Sequence, residues 1–195
     1  GYRILSSAND LSEIAQYVNS LIGVVIEVDI GMGRCGVRTK EDALSLTELI
    51  KSLPGLRFDG LLGYEGHTVL TDSRKIRMEK CSQANEQLVK TVEYLKQHGH
   101  NMEIVSGGGT GTYDMTGKYK GITEIEAGSY VFMDSTYAKL NLPFGQALYI
   151  VSTIISTPEP GICIADCGLK TVTSEFGLPQ PRFLLHSNKN EQTVL

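Results

Sequence analysis

The sequence has no tryptophan, only 7% aromatic residues, and no excess of basic side chains. Its 18 Lys and Arg stand against 22 Asp and Glu, a net charge of −4, and no basic stripe is present. A nucleic-acid surface needs clustered cations for its phosphates, so that class of function is excluded as the main one. No apolar run approaches the roughly 20 residues that cross a bilayer. The longest, 147–155, is broken by Ser152 and Thr153. The four cysteines, Cys35, Cys81, Cys163 and Cys167, are scattered, and only the last two lie close. No second pair completes a zinc site, so reduced thiols in a cytoplasmic protein are expected. There is no internal repeat, no low-complexity tract and no signal-peptide pattern. With 41% hydrophobic and 21% charged residues, the composition is that of a globular chain. The chain opens on Gly1 rather than Met, in what reads as a strand already under way. It stops at Asn188–Leu195 without a cap, and a piece of a longer protein is expected.

What is present alternates between strand and helix periods. Tyr2–Leu5 reads as a short strand. A helix is expected from about Asp10, with Leu11, Ile14, Ala15, Val18 and Ile22 on one face and Gly23 ending it. Val24–Asp29 is a β-branched strand. Thr39, with Asp42 three residues on, caps a helix that Pro54-Gly55 breaks. Leu56–Leu62 is a strand, and a long helix from Ser73 carries Ala84, Leu88, Val92 and Leu95 before Gly99 stops it. Met102–Val105 and Ile122–Ala127 complete the series. Such alternation implies a parallel sheet with helices outside it, either doubly wound or a (β/α)8 barrel. From about Gly145 the pattern changes. Ala147–Ile155, Gly161–Ala165 and Lys170–Thr173 read as strands joined by turns, the start of an antiparallel β domain.

In parallel α/β sheets the loops at the carboxyl ends of strands carry function, and four such loops are marked by glycine. Gly31-Met-Gly-Arg-Cys-Gly36 is literally a G-x-G-x-x-G, but the helix starts only after Thr39, and no acidic residue ends the next strand. A dinucleotide site, a plain tight turn, and a loop aiming Arg34 into a cleft all stay open. Gly63-Tyr-Glu-Gly-His67 could lay the Tyr64 ring against a planar ligand, or could hold a core tyrosine beside a surface histidine. Ser106-Gly-Gly-Gly-Thr-Gly-Thr112 offers five consecutive backbone amides and two hydroxyls, a concavity suited to phosphate. It lacks the Gly-Lys-Ser/Thr of a P-loop, which argues against nucleoside triphosphate hydrolysis. Glu126-Ala-Gly-Ser-Tyr130 follows the last strand of the series. Barrel phosphate sites are typically built from the last two strand-end loops, so these two loops would close on one phosphate.

Taken together, Glu27–Gly36, Leu61–His67, Ser106–Tyr113 and Glu124–Asp134 resemble the fold-type III pyridoxal-phosphate enzymes. The branch is that of D-threonine aldolase, 3-hydroxy-D-aspartate aldolase and metal-dependent D-serine dehydratase, related to the alanine racemase N-terminal barrel. Ala165–Lys170 resembles that family's early β-domain strand. The resemblance implies that 1–144 is the C-terminal part of a (β/α)8 barrel, with about five of its strands, and that 145–195 starts a β domain. It implies that Arg34 bonds the cofactor's phenolic oxygen and Tyr64 stacks on its ring. Gly108, Gly109, Thr110 and Gly111 would hold the phosphate, helped by Gly128, Ser129 and Tyr130, with Glu126 near the pyridine nitrogen. The expected function is a pyridoxal-phosphate lyase acting on a β-hydroxy D-amino acid, in a homodimer assisted by a divalent metal (Mn, Mg or Zn).

The family's Schiff-base lysine and metal ligands have no counterpart in these motifs. No visible lysine matches, His98 and His100 end a helix, and His186 has no ligand-spaced partner. Both groups are therefore expected outside this chain, which would be inactive alone. A racemase of the same fold, a non-catalytic pyridoxal-phosphate carrier and a dinucleotide-binding oxidoreductase are the competing readings.

Overall fold

The structure, a computed structural model, describes residues 2–175, 177–181, 183–185 and 192–194. Helix α1 (Tyr2–Tyr17) leads into strand β1 (Ile22–Glu27), helix α2 (Lys40–Ser52) and strand β2 (Leu56–Gly63). The long helix α3 (Arg74–Gln97), strand β3 (Ile104–Gly107), the single turn α4 (Tyr113–Thr116) and strand β4 (Glu124–Ile125) come next. The strands form one parallel sheet in the order β1-β2-β3-β4. Every crossover steps in the same direction, as in an arc of a (β/α)8 barrel. A doubly wound sheet would reverse its strand order at a switch point.

Side-chain chemistry explains the helix ends. Thr39 caps α2, its Oγ1 accepting the Asp42 amide at 3.0 Å. Ser73 caps α3 through the Ile76 amide, and Gly99, at φ +82°, closes it. Cys81, Ala84, Leu88, Val92 and Leu95 of α3 are buried. All but Cys81 pack in one core with Ile26 and Val28, Leu61, and Val105, so α3 seats the strand ends that carry the site.

The N-terminal expectation is corrected. Residues 2–5 are helix, not strand, so the parallel sheet has four strands among the described residues rather than five. No Gly or Pro separates Leu5 from Asp10. Each further residue then adds a helical hydrogen bond to a turn already nucleated, and the helix runs through Asn9 and Asp10 instead of starting there. It ends at Tyr17, two residues before Asn19 takes a left-handed φ of 49°, and not at Gly23, which lies in β1. Beyond residue 145 two antiparallel pairs form, β5 (Ile154–Ser156) with β6 (Ile164–Ala165) and β7 (Phe183–Leu185) with β8 (Gln192–Val194). The strand expected over 147–155 is confined to its last two residues and Ser156, and 170–173, expected as strand, holds a turn and a bend but no strand. Among the described residues, no helix is long and apolar enough to cross a membrane.

Candidate functional site

The four glycine-marked loops meet at the carboxyl end of the sheet. They enclose a cavity of about 310 Å³ lined by Arg34, Tyr64, Gly109, Thr110, Glu126, Gly128, Ser129 and Tyr137. Each wall is held by its own local chemistry. The first loop folds on Asp29, whose Oδ1 accepts the amides of Gly31 (3.1 Å) and Gly33 (2.9 Å). Those two bonds, Gly33's first, hold the Asp29 carboxyl below the ordinary carboxylate range. Val37 returns to the strand through its amide to Glu27 O at 2.8 Å, so the loop is closed and ends three residues before α2. Its glycines therefore do not open a helix, which removes the geometric basis of the dinucleotide reading. What the loop presents is Arg34, its guanidinium 5.5 Å from the centroid of the Tyr64 ring and 3.6 Å from Glu27 Oε1. Burial, ahead of Tyr137 and Glu65, raises the Tyr64 phenol above its usual value.

The glycine-rich turn is a narrower anion site than five free amides would be. The Gly108 amide donates to Glu65 Oε2 at 3.0 Å and the Gly109 amide to Thr112 Oγ1 at 3.0 Å. Thr110 and Gly111 are buried, and among the described residues no hydrogen bond uses their amides. The amides of Gly128 and Ser129, from the next loop, are equally uncommitted. Buried N–H groups without acceptors are costly and mark a place where an external acceptor is wanted. That holds for Thr110 and Gly111; Gly128 and Ser129 are exposed and add two more uncommitted donors from the adjacent strand end, a set that suits a phosphate.

Of the predicted residues, Gly108 and Gly111 are not among those that line the cavity. Tyr130 is turned outward, its ring 5.4 Å from Phe144, and contributes only its amide, which donates to Thr110 Oγ1 at 3.0 Å. Glu126 is held by its amide to Gly107 O, while its Oε1 is buried and has no partner. Burial is the main cause that raises its carboxyl above the ordinary range. A planar cation or N–H in the cavity would satisfy that oxygen, as the nitrogen of a protonated pyridine ring does. The residues present thus fit a phosphorylated pyridine. His98 and His100 lie outside the cavity, their ring nitrogens near Tyr94 O and Lys51 Nζ, and His186 lies outside the described residues.

Because the folded state binds the Glu126 proton more tightly than the unfolded chain, the group favours folding at low pH. That advantage is lost as pH rises through the raised value, and above it the buried charge opposes folding. Glu126→Gln is therefore expected to stabilise the ligand-free protein at pH 7 and to change nothing below about pH 4. Urea melts at the two pH values check this; equal shifts at both would contradict it.

Two residues of the site escaped the sequence reading. Tyr137 reaches the cavity from a short 3-10 turn whose start is set by Asp134 Oδ1, which accepts the Thr136 and Tyr137 amides at 2.8 Å. The Asp-x-Thr-Tyr spacing was its only local signal. Glu65 is wholly buried beneath the glycine-rich turn, and nothing in Gly-Tyr-Glu-Gly-His distinguishes it from a solvated acid.

The alanine racemase N-terminal domain family matches residues 4–136. Among characterised proteins, D-threonine aldolase of Arthrobacter sp. is 35% identical over 182 residues, covering 90% of this chain and 48% of that enzyme. 3-Hydroxy-D-aspartate aldolase of Paracoccus denitrificans is 35% identical over 179 residues, covering 87% and 46%. The crystal structure of D-threonine aldolase from Filomicrobium marinum superposes with a TM-score of 0.87 at 29% identity, covering 95% of this chain and 53% of that one. The chain thus spans about half the length of the relatives it matches.

Proposed function

Since the chain belongs to the alanine racemase N-terminal domain family, we propose that its cavity holds pyridoxal 5'-phosphate in a lyase for β-hydroxy D-amino acids. The observation that carries this is the convergence, on one cavity, of uncommitted amides, the unpartnered Glu126 oxygen and a half-buried tyrosine ring. The amides of Thr110, Gly111, Gly128 and Ser129 hold the phosphate. Tyr64 underlies the ring, Arg34 donates to its phenolic oxygen, and Glu126 accepts from its nitrogen. Bound there, the cofactor supplies an electron sink for breaking a bond at the substrate's α-carbon or losing its β-hydroxyl. Glu126 keeps that sink strong by favouring the protonated ring, and Arg34 balances charge at the opposite edge.

Among the described residues no lysine lines the cavity. We place the covalent lysine and the ligands of a divalent metal (Mn, Mg or Zn) in the intact protein, outside residues 1–195. The metal's task would be to hold the substrate's β-hydroxyl. The resemblance also implies a homodimer, which sedimentation of the intact protein would decide.

The test is the absorption spectrum of the intact protein before and after borohydride, then product analysis with β-hydroxy D-amino acids. A visible band lost on reduction, with an aldehyde or keto acid released, is expected. No such band, or return of the L-enantiomer with its carbon skeleton intact, would overturn the lyase reading. In the same experiment Arg34→Ala is expected to lower cofactor occupancy while the ligand-free protein melts as before. The Arg34 side chain is 54% exposed and its pairing with Glu27 is a surface contact of little worth.

A further inference from the structure

Beneath the glycine-rich turn lies a buried polar cluster in which the protons run toward one acceptor. Glu65 is 0% exposed, and none of the ion pairs among the described residues includes it. Its Oε1 accepts the hydroxyls of Thr112 at 2.8 Å and Thr116 at 2.7 Å, and its Oε2 accepts the Gly108 amide at 3.0 Å. With its proton committed to Glu65, Thr112 Oγ1 can receive the Gly109 amide, which it does at 3.0 Å. Thr116 Oγ1 likewise receives Asn85 Nδ2 at 3.0 Å, and the Cys81 thiol has two acceptors in reach, Thr116 Oγ1 at 3.1 Å and Glu65 Oε1 at 3.7 Å. Burial, ahead of its hydrogen bonds, pushes that thiol up to about 11, so it takes part as a neutral donor.

A buried acid without a cation is an expensive way to fill space, and an apolar side chain would serve packing better. What the carboxylate does that no apolar residue can is accept several donors at once. Through Oε2 it holds the Gly108 amide, and through Thr112 it holds the Gly109 amide. Both are turned off the cavity, while those of Thr110 and Gly111 stay uncommitted. We propose that Glu65 is a positioning residue, acting through Thr112, that sets the peptide orientation of the glycine-rich turn and thereby its affinity for the phosphate of its ligand. This rests on the assignment of that turn to phosphate.

Glu65→Gln keeps the shape but brings two donors. Placed toward Gly108 its amide meets another N–H, and placed toward the threonines it forces both hydroxyls to reverse. Thr112→Val cuts only the relay to Gly109, and Thr112→Ser preserves it. The intact protein, stripped of cofactor, is titrated with pyridoxal 5'-phosphate and separately with pyridoxal, and amide hydrogen exchange is measured across 108–112. Wild-type protein is expected to favour the phosphorylated ligand. Glu65→Gln and Thr112→Val should each lose about tenfold or more of that preference, while Thr112→Ser retains it. Pyridoxal affinity should change little, and exchange should quicken at 108–112 in the first two variants. If Glu65→Gln does not fold, the Thr112 pair decides alone. Unchanged phosphate preference in Glu65→Gln and Thr112→Val, or equal loss for both ligands, overturns the proposal. A wild-type protein without any preference would overturn the phosphate assignment itself, and this proposal with it.

Discussion

Gly111→Ala is expected to lower the affinity for pyridoxal 5'-phosphate about a hundredfold, although Gly111 does not line the cavity. A Cβ on Gly111 would lie 1.9 Å from the carbonyl oxygen of Val69 and 2.8 Å from its carbon, both backbone atoms. Neither can move away as a flexible side chain can. The turn must shift as a unit, carrying with it the Thr110 and Gly111 amides. Overpacking of this kind costs about 1–3 kcal/mol, and the upper end of that range, placed on the liganded geometry, gives roughly the hundredfold figure. Gly168→Ala is the control, because a Cβ there meets nothing within 4 Å and Gly168 does not line the cavity. It should bind within about twofold of wild type. Equal affinities for the two variants, measured by titration, would mean that the turn is pliable and not a built anion site.

The largest effect on stability is expected from Gly60→Ala, in the middle of β2. A Cβ at Gly60 would lie 1.8 Å from Ile104 O, the residue it pairs with in β3. The β2–β3 ladder begins at this pair, so opening it loosens the strand that leads into the glycine-rich turn. A loss of about 3 kcal/mol is expected, at the upper end for overpacking. It should appear as a lower urea midpoint, with Gly145→Ala, in open space, close to wild type. A midpoint unchanged in Gly60→Ala would show that β2 and β3 can part locally at no cost, and would remove the rigid support argued for the site.

Local chemistry made the presence of β1 to β4, the caps at Thr39 and Ser73, and the buried stripe of α3 readable in advance. Each depends on neighbours within a few residues: a side chain reaching an amide three positions on, or apolar residues recurring with the helix. Two of the four functional loops were legible for the same reason, since positive φ at Gly31, Gly33, Gly36 and Gly108 is a local demand that glycine meets. The strand expected at 2–5 failed because a four-residue segment is too short to show a period of its own and adopts the structure of the segment next to it. The strand expected at 170–173 rested on equally little.

What only the tertiary structure decided is which atoms of those loops are free. The sequence shows amides from Gly107 to Gly111, but not that Glu65, 43 positions before Gly108, takes up the Gly108 amide. Nor does it show that Thr112 takes the next, or that Glu126 keeps one buried oxygen unpartnered. Hydrogen-bond accounting is closed over the folded chain, so whether a donor is spare depends on every acceptor brought near it. The residue types at the site were written in the sequence; the donors left over for a ligand were settled when α3, the 65–71 segment and the glycine-rich turn packed together.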